Sequence, residues 1–365
     1  MSDSPPETQK STDHMVDYDQ NSAAQQSIVS VHEAALRRLA SGTLDTGRRL
    51  RITDYGCGPG TSAITSVKPV LETWRAEGPE TPLAVCHMDQ PDNDWNALFQ
   101  LATGPDGYRA TVTDVRTEAV VGSFYDRVME DATVDIATCF AASHWLSRAA
   151  RLYCPGSVWF ADLEGPARTE LETLAQDDWE TFLRLRAAEL RSGGYLFVST
   201  LASVPDPAEK NGAAASGRGI YRALQYVAQS MADDGLLDSD VLDHFLFSLW
   251  FLTAQEARKP IDNGHLASLY QIDTVDVRPS PKNPTDFFAD LITDADAYAD
   301  AYTGYIRAFA DTTLRPQLFA PSATASRSED ALATEFYTRL TDTYRARKAE
   351  FAFELWHLTV ILRRT

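Results

Sequence analysis

Cysteine is scarce in this chain. Four occur in 365 residues, Cys57, Cys86, Cys139 and Cys154, and no two stand in a CxxC spacing. That argues against a disulfide framework and a zinc site, and fits a reducing compartment. Basic charge is also in short supply. Thirty-three Lys and Arg against 52 Asp and Glu leave a net charge of −19, whereas a general nucleic-acid binder needs a positive footprint. No apolar run approaches the roughly 18 residues of a membrane-spanning helix. The first residues, MSDSPPETQKSTDHM, show no basic stretch followed by an apolar one, so no secretory signal is expected and a cytoplasmic location is.

Hydrophobic content is ample. It reaches 44%, with 7 Trp and 16 Phe, enough for a sizeable core. The length allows one large domain or two ordinary ones. Residues 1–15 are polar, carry Pro5 and Pro6, and read as a mobile arm. From Asn21 a helical pattern begins, with Ile28, Val31, Ala35 and Leu39 at helical spacing and Gly42 ending it. LRITDYG (50–56) reads as a buried strand, GCGPGTS as a turn and TSAITSVKPVLETWRAE as a helix. TPLAVCHMD (81–89) is a second strand, PDNDWNALFQLA a capped helix and TVDIATCF (133–140) a third strand. DDWETFLRLRAAELRSGG reads as a helix ending on Gly193 and Gly194, and YLFVSTLA as a fourth strand. Such alternation predicts a doubly wound α/β domain with a parallel sheet over residues 16–205. Residues 206–348 open on a small polar loop and turn mainly helical and aromatic, including DHFLFSLWFL and AYADAYTGYIRAFA. They predict a helical cap. Residues 349–365 end in an apolar run with β-branched Thr359, Val360 and Ile361, a final strand expected to rejoin the sheet.

The turn Asp54-Tyr55-Gly56-Cys57-Gly58-Pro59-Gly60 lies between a strand and a helix. Glycines there permit tight backbone angles and let a ligand approach the main chain. A GxGxxG dinucleotide fingerprint would need glycine where Thr61 stands, and Pro59 removes an amide that a pyrophosphate could use. The spacing suits a ligand that lacks phosphate. The second strand ends in Asp89. A carboxylate at that place caps the following helix or accepts hydrogen bonds from both hydroxyls of a ribose; the paired turn and acid favour the ribose.

Turn and acid together resemble class I methyltransferases, which bind S-adenosyl-methionine. Five flanking segments narrow the likeness: Tyr18-x-x-Asn21-Ser22-x-x-Gln25, Asp89-Gln90-Pro91-x-Asn93-Asp94-Trp95, Gly122-Ser123-Phe124-Tyr125-x-Arg127, His144-Trp145-Leu146-Ser147, and RAAELRSGG before the fourth strand. In this order they resemble the SABATH family of small-molecule methyltransferases, known from plants and with microbial members. The resemblance implies a class I methyltransferase-like doubly wound sheet, mostly parallel with a late antiparallel strand, under a helical cap. It implies S-adenosyl-methionine as methyl donor, no required metal, a small carboxylic acid as acceptor and a homodimer. Tyr18, Ser22, Asp54, Gly56, Gly58, Asp89, Gln90, Ser123 and Phe124 would line the cofactor site. Gln25, Trp145, His144 and Phe140 would line the acceptor site, with the Gln25 amide and the Trp145 N–H holding the carboxylate.

Three departures bear on this. Plant members usually carry Cys-Ser-Ser-Gly where this chain has Cys57-Gly58-Pro59-Gly60. The residue after the ribose acid is usually apolar, and here it is Gln90. A Tyr four residues before the Trp is replaced by Ala141, beside Phe140, so the acceptor pocket is reshaped and no plant substrate carries over. Chemically, a carboxylate is ionised at neutral pH and needs no base. Neutral donors orient it without quenching it, and an aromatic pocket favours the loss of charge on transfer. Methylation of a ring nitrogen or phenol stays open, with His144 as the nearby base, as does a non-catalytic protein that only binds the cofactor.

Overall fold

A computed structural model describes residue 29, residues 31–262 and residues 264–365. Its centre is a seven-stranded sheet in the order β3-β2-β1-β4-β5-β9-β8. Strands β1 (Leu50–Tyr55), β2 (Leu83–Asp89), β3 (Val115–Val121), β4 (Val134–Phe140) and β5 (Leu190–Leu201) run parallel. Small strands β6 (Ser203–Pro205) and β7 (Ala213–Ala215) pair apart from it. Strands β8 (Tyr270–Pro279) and β9 (Trp356–Arg364) complete it, with β9 antiparallel to both β5 and β8. The late antiparallel strand is the one expected from the C-terminal run. Its alternating residues Leu358, Val360 and Leu362 are fully buried, as a strand between two neighbours requires.

Helices cover both faces. α1 (Glu33–Thr43) and α2 (Thr61–Glu77) pack on one, where Leu36, Leu39, Val67, Leu71 and Trp74 meet Ile52, Val85 and Phe197. α3 (Trp95–Thr103) follows β2, capped by Asp94, whose carboxylate accepts from Ala97 N at 2.9 Å. α4 (Gly165–Glu189) lies on the other face, burying Trp179, Phe182, Leu183 and Arg186 at helical spacing. α5 (Arg218–Asp233), α6 (Ala254–Asp262), α7 (Ala295–Leu314) and α8 (Glu329–Arg347) occupy the stretch before β9 and share a core with that face. No described helix is long and apolar enough to cross a membrane.

Several elements differ from the sequence reading. The first helix buries Leu36, Leu39, Ala40 and Thr43, while Val31 is 53% exposed; the buried stripe is rotated from the expected one. Gly193 and Gly194 do not end a helix. α4 stops at Glu189, and the glycines sit in an irregularity of β5, whose Leu190 and Tyr195 face Val134 and Ile136. A Cβ on Gly194 would come within 2.8 Å of Asp135 O, so close passage of the two strands calls for glycine there. Strands β3 and β8 were not expected. Residues 245–252 are not helical: this run, apolar except for Ser248, lies beside the loop after β4, with Leu146 N donating to Ser248 O and Trp250 N to His144 O, both at 2.9 Å.

Candidate active site

The ends of β1, β2, β4 and β5 converge at one edge of the sheet. The glycine turn after β1 has positive φ at Gly56, Gly58 and Gly60. A Cβ on Gly56 would collide with the Ala142 side chain, and Phe124 stands 3.6 Å from the same point. Three segments far apart in sequence therefore meet at Gly56. Around Gly58, by contrast, a Cβ would meet nothing within 4 Å, so the turn leaves open space on that side.

Asp89, at the end of β2, is held by main-chain donors. Gly58 N donates to its Oδ2 at 2.6 Å and Gln90 N to its Oδ1 at 2.7 Å. Asn93 Nδ2 donates to Gly58 O at 2.9 Å and ties the turn to the following loop. Asp54 is buried and accepts from the Thr138 hydroxyl at 2.6 Å. Burial pushes its carboxyl up to about 7; the Thr138 bond opposes this and the nearby Asp89 charge adds to it.

The segment 123–129 forms the next wall, fixed from behind by a buried ion pair. Glu189 accepts from Val128 N at 2.7 Å, Met129 N at 3.0 Å and the Tyr55 hydroxyl at 2.6 Å. Arg186 donates to Glu189 Oε1 at 3.0 Å, to Phe124 O at 2.8 Å and to Asp126 O at 3.1 Å. Its guanidinium lies over the Tyr55 ring, 4.1 Å from the centroid. Charge is thus neutralised where water is absent, and the same two side chains fix the loop's backbone.

The loop after β4 carries His144 and Trp145. Its entry residue Ala141 has φ +51°, and Ala141 N donates to Ser199 O at 2.8 Å. His144 is buried; its Nδ1 is 2.9 Å from Thr200 Oγ1 and its ring meets Phe251 edge-on at 5.4 Å. Burial lowers its pKa to about 3, so the imidazole is neutral at any working pH. Trp145 is half-buried and bridges to Leu249. Its carbonyl accepts from the Tyr125 hydroxyl at 2.6 Å, which joins this loop to the 123–129 wall.

Asp54, Gly56, Gly58, Asp89 and Gln90 therefore form one cluster, with Ser123 and Phe124 beside it and His144 and Trp145 adjoining through Ala142 and Tyr125. Ser123 shapes its own turn, its Oγ accepting from Tyr125 N at 3.1 Å. Phe140 lies on the α1 side of the sheet, where its ring stacks on Phe197 at 5.4 Å and approaches His32 at 6.4 Å. Tyr18, Ser22 and Gln25 lie outside the described residues. Tyr125, Thr200, Arg186, Glu189 and Phe251 were missed. Tyr125, Arg186 and Glu189 sit inside segments already singled out, so a search for buried polar residues there could have found them. Thr200 and Phe251 carry no sequence signal. Among the described residues no group of three or more His, Cys, Asp or Glu could hold a metal ion.

Comparison with known proteins adds to this geometry. The family profile described as "SAM dependent carboxyl methyltransferase" matches residues 8–364. Gibberellic acid methyltransferase 2 of Arabidopsis thaliana is 26% identical over 299 residues, 74% of this chain and 74% of that protein. Loganic acid O-methyltransferase of Catharanthus roseus is 24% identical over 294 residues, covering 74% of this chain and 76% of its own. Among solved structures, loganic acid methyltransferase with SAH superposes with a TM-score of 0.73 at 20% identity, over 95% of this chain and 96% of that one. That likeness is one of fold.

Proposed function

The chain belongs to the SAM dependent carboxyl methyltransferase family, and from that membership we propose that it converts the carboxylate of a small aromatic acid to its methyl ester. The observation that carries the choice of acceptor is the state of His144. An imidazole whose pKa is lowered to about 3 by burial is a poor match for a general base at neutral pH. A phenol or a protonated amine would need one. A carboxylate arrives already ionised and needs only to be oriented.

The residues present suit the methyl donor. Open space beside Gly58 and a carboxylate on Asp89 pre-aimed by two amides fit a ribose with two hydroxyls. Phe124, standing beside Gly56, offers an apolar face to an adenine. Asp54 offers a carboxylate to a cationic methionine end. When bound, S-adenosyl-methionine supplies a methyl group on a sulfonium, which a carboxylate oxygen accepts directly. On the acceptor side, the Trp145 N–H and the Gln25 amide orient the acid. His144, Phe251 and the cap segment 245–252 keep water away from it. The contact between Gly56 and Ala142 supports the reading, because it sets donor and acceptor walls side by side. Family likeness also supports a homodimer, which sedimentation velocity tests. The reading is tested by incubating the purified protein with methyl-labelled S-adenosyl-methionine and a panel of small acids, phenols and amines. Transfer of one labelled methyl to acids, and not to matched phenols or amines, is the expected result.

A further inference from the structure

We propose that Thr200 is a positioning residue that donates its hydroxyl proton to His144 Nδ1 and so holds the imidazole as the Nε2–H tautomer, a further neutral donor for the acceptor acid. The inference rests on the carboxyl-acceptor reading only for the identity of what Nε2–H meets. The tautomer itself follows from hydrogen-bond geometry.

Thr200 sits near the end of β5 and is 2% exposed. Its Oγ1 lies 2.9 Å from His144 Nδ1, the one hydrogen bond that hydroxyl makes among the described residues. Two directions are possible. If Nδ1–H donated to Thr200, the hydroxyl's own proton would be left without an acceptor in a buried place. If the hydroxyl donates to Nδ1, its proton is satisfied and the ring proton moves to Nε2, which is not among the sealed side-chain nitrogens that lack a partner, so no buried donor is orphaned. Buried donors without partners are rarer and costlier than under-used acceptors. The second direction therefore prevails, and a neutral imidazole with Nδ1 as acceptor carries its proton on Nε2.

The surroundings agree. The His144 ring is neutral because it is buried. No described residue makes a hydrogen bond to its Nε2, and that atom is not sealed from solvent. The ring is wedged between Trp145, at 5.2 Å, and Phe251, at 5.4 Å, and its main-chain carbonyl is taken by Trp250 N. Ring and backbone are thus both fixed, and among the described residues Nε2 alone of the ring's two nitrogens takes no hydrogen bond. A neutral donor beside the Trp145 indole suits an anion that must be held yet remain nucleophilic. It provides a dipole without forming an ion pair.

The test is a long-range ¹H–¹⁵N spectrum of the full-length protein labelled at histidine, which has 7 such residues. The His144→Asn variant identifies the His144 signals by their loss. At neutral pH the expected pattern is protonated Nε2 and unprotonated Nδ1, with the other tautomer between roughly a fifth and under a hundredth as populated if the orphaned donor costs its usual 1–3 kcal/mol. Thr200→Val, which keeps the shape and removes the hydroxyl, should raise the Nδ1–H population, and Thr200→Ser should restore the wild-type pattern. Protonated Nδ1 in the wild-type protein overturns the inference, and so does a Thr200→Val spectrum identical to wild type. If Thr200→Val fails to fold, the wild-type and Thr200→Ser spectra still decide. None of these outcomes depends on which acceptor is methylated, so failure here is separate from failure of the carboxyl reading.

Discussion

Replacing Glu189 with Gln should cost the native state about 3–5 kcal/mol, the usual effect of breaking a buried ion pair from one side. The Glu189 and Arg186 side chains are both fully buried. Arg186 Nε lies 2.8 Å from Glu189 Oε2, and its Nη2 donates to Oε1 at 3.0 Å. The other donors are Tyr55 OH, Val128 N and Met129 N. An amide keeps the size of the side chain, but its NH₂ must face a donor and the guanidinium loses its counter-charge. Against a typical total stability of about 5–15 kcal/mol the loss is large. It should appear as a lower urea midpoint with an unchanged slope. Because Arg186 also holds Phe124 O and Asp126 O, the 123–129 wall should loosen. Affinity for S-adenosyl-homocysteine should then fall roughly tenfold, equivalent to about 1.4 kcal/mol. A Glu189→Gln protein within about 1 kcal/mol of wild type and with unchanged cofactor affinity would refute the reasoning.

Asp54, raised to about 7 chiefly by burial, stabilises the fold most when protonated, a contribution complete below the ordinary carboxylate range and lost as pH rises through 7. Binding a cationic methionine end asks for the ionised form, so cofactor affinity should strengthen as pH rises through about 7 and then level off. Calorimetry from roughly pH 5.5 to 8.5 checks this, and Asp54→Asn should flatten the profile. Trp145→Phe keeps most of the ring and deletes one donor to a charged oxygen, so kcat/KM should drop roughly 10- to 150-fold with cofactor affinity unchanged; a lower melting temperature with turnover intact would make Trp145 a packing residue. His144→Asn should cost less than about tenfold and keep the wild-type pH profile, whereas a loss of roughly 10²–10⁴-fold would mark a general base.

The first strand, its glycine turn and the acid after the second strand were legible because each is encoded locally. Glycines with positive φ and a carboxylate at a strand end announce themselves over a few residues. Strands β3 and β8 were not legible for an equally local reason. Val115–Val121 interleaves Arg116 and Glu118 with its apolar residues, and Tyr270–Pro279 is mostly half-exposed. Edge strands of this kind lack the continuous apolar run of a buried one. HFLFSLWFL was misread because a short, mostly apolar run has no usable period, and its course is set by the His144 loop about a hundred residues away. The same distance hid Phe251 beside His144, and the 134 residues between Tyr55 and Glu189 hid the brace behind the 123–129 segment. Such pairings are created by the chain's path through the sheet, and spacing along the sequence does not contain them.

The central claim concerns the bond that is made, and alkali distinguishes the candidates directly. The product of the best acceptor, formed with S-adenosyl-methionine carrying a labelled methyl, should be isolated and treated with mild base. A methyl ester should return the unlabelled acid and release the label as methanol. A product that keeps its labelled methyl through this treatment is an ether or an N-methyl compound, and would contradict the account.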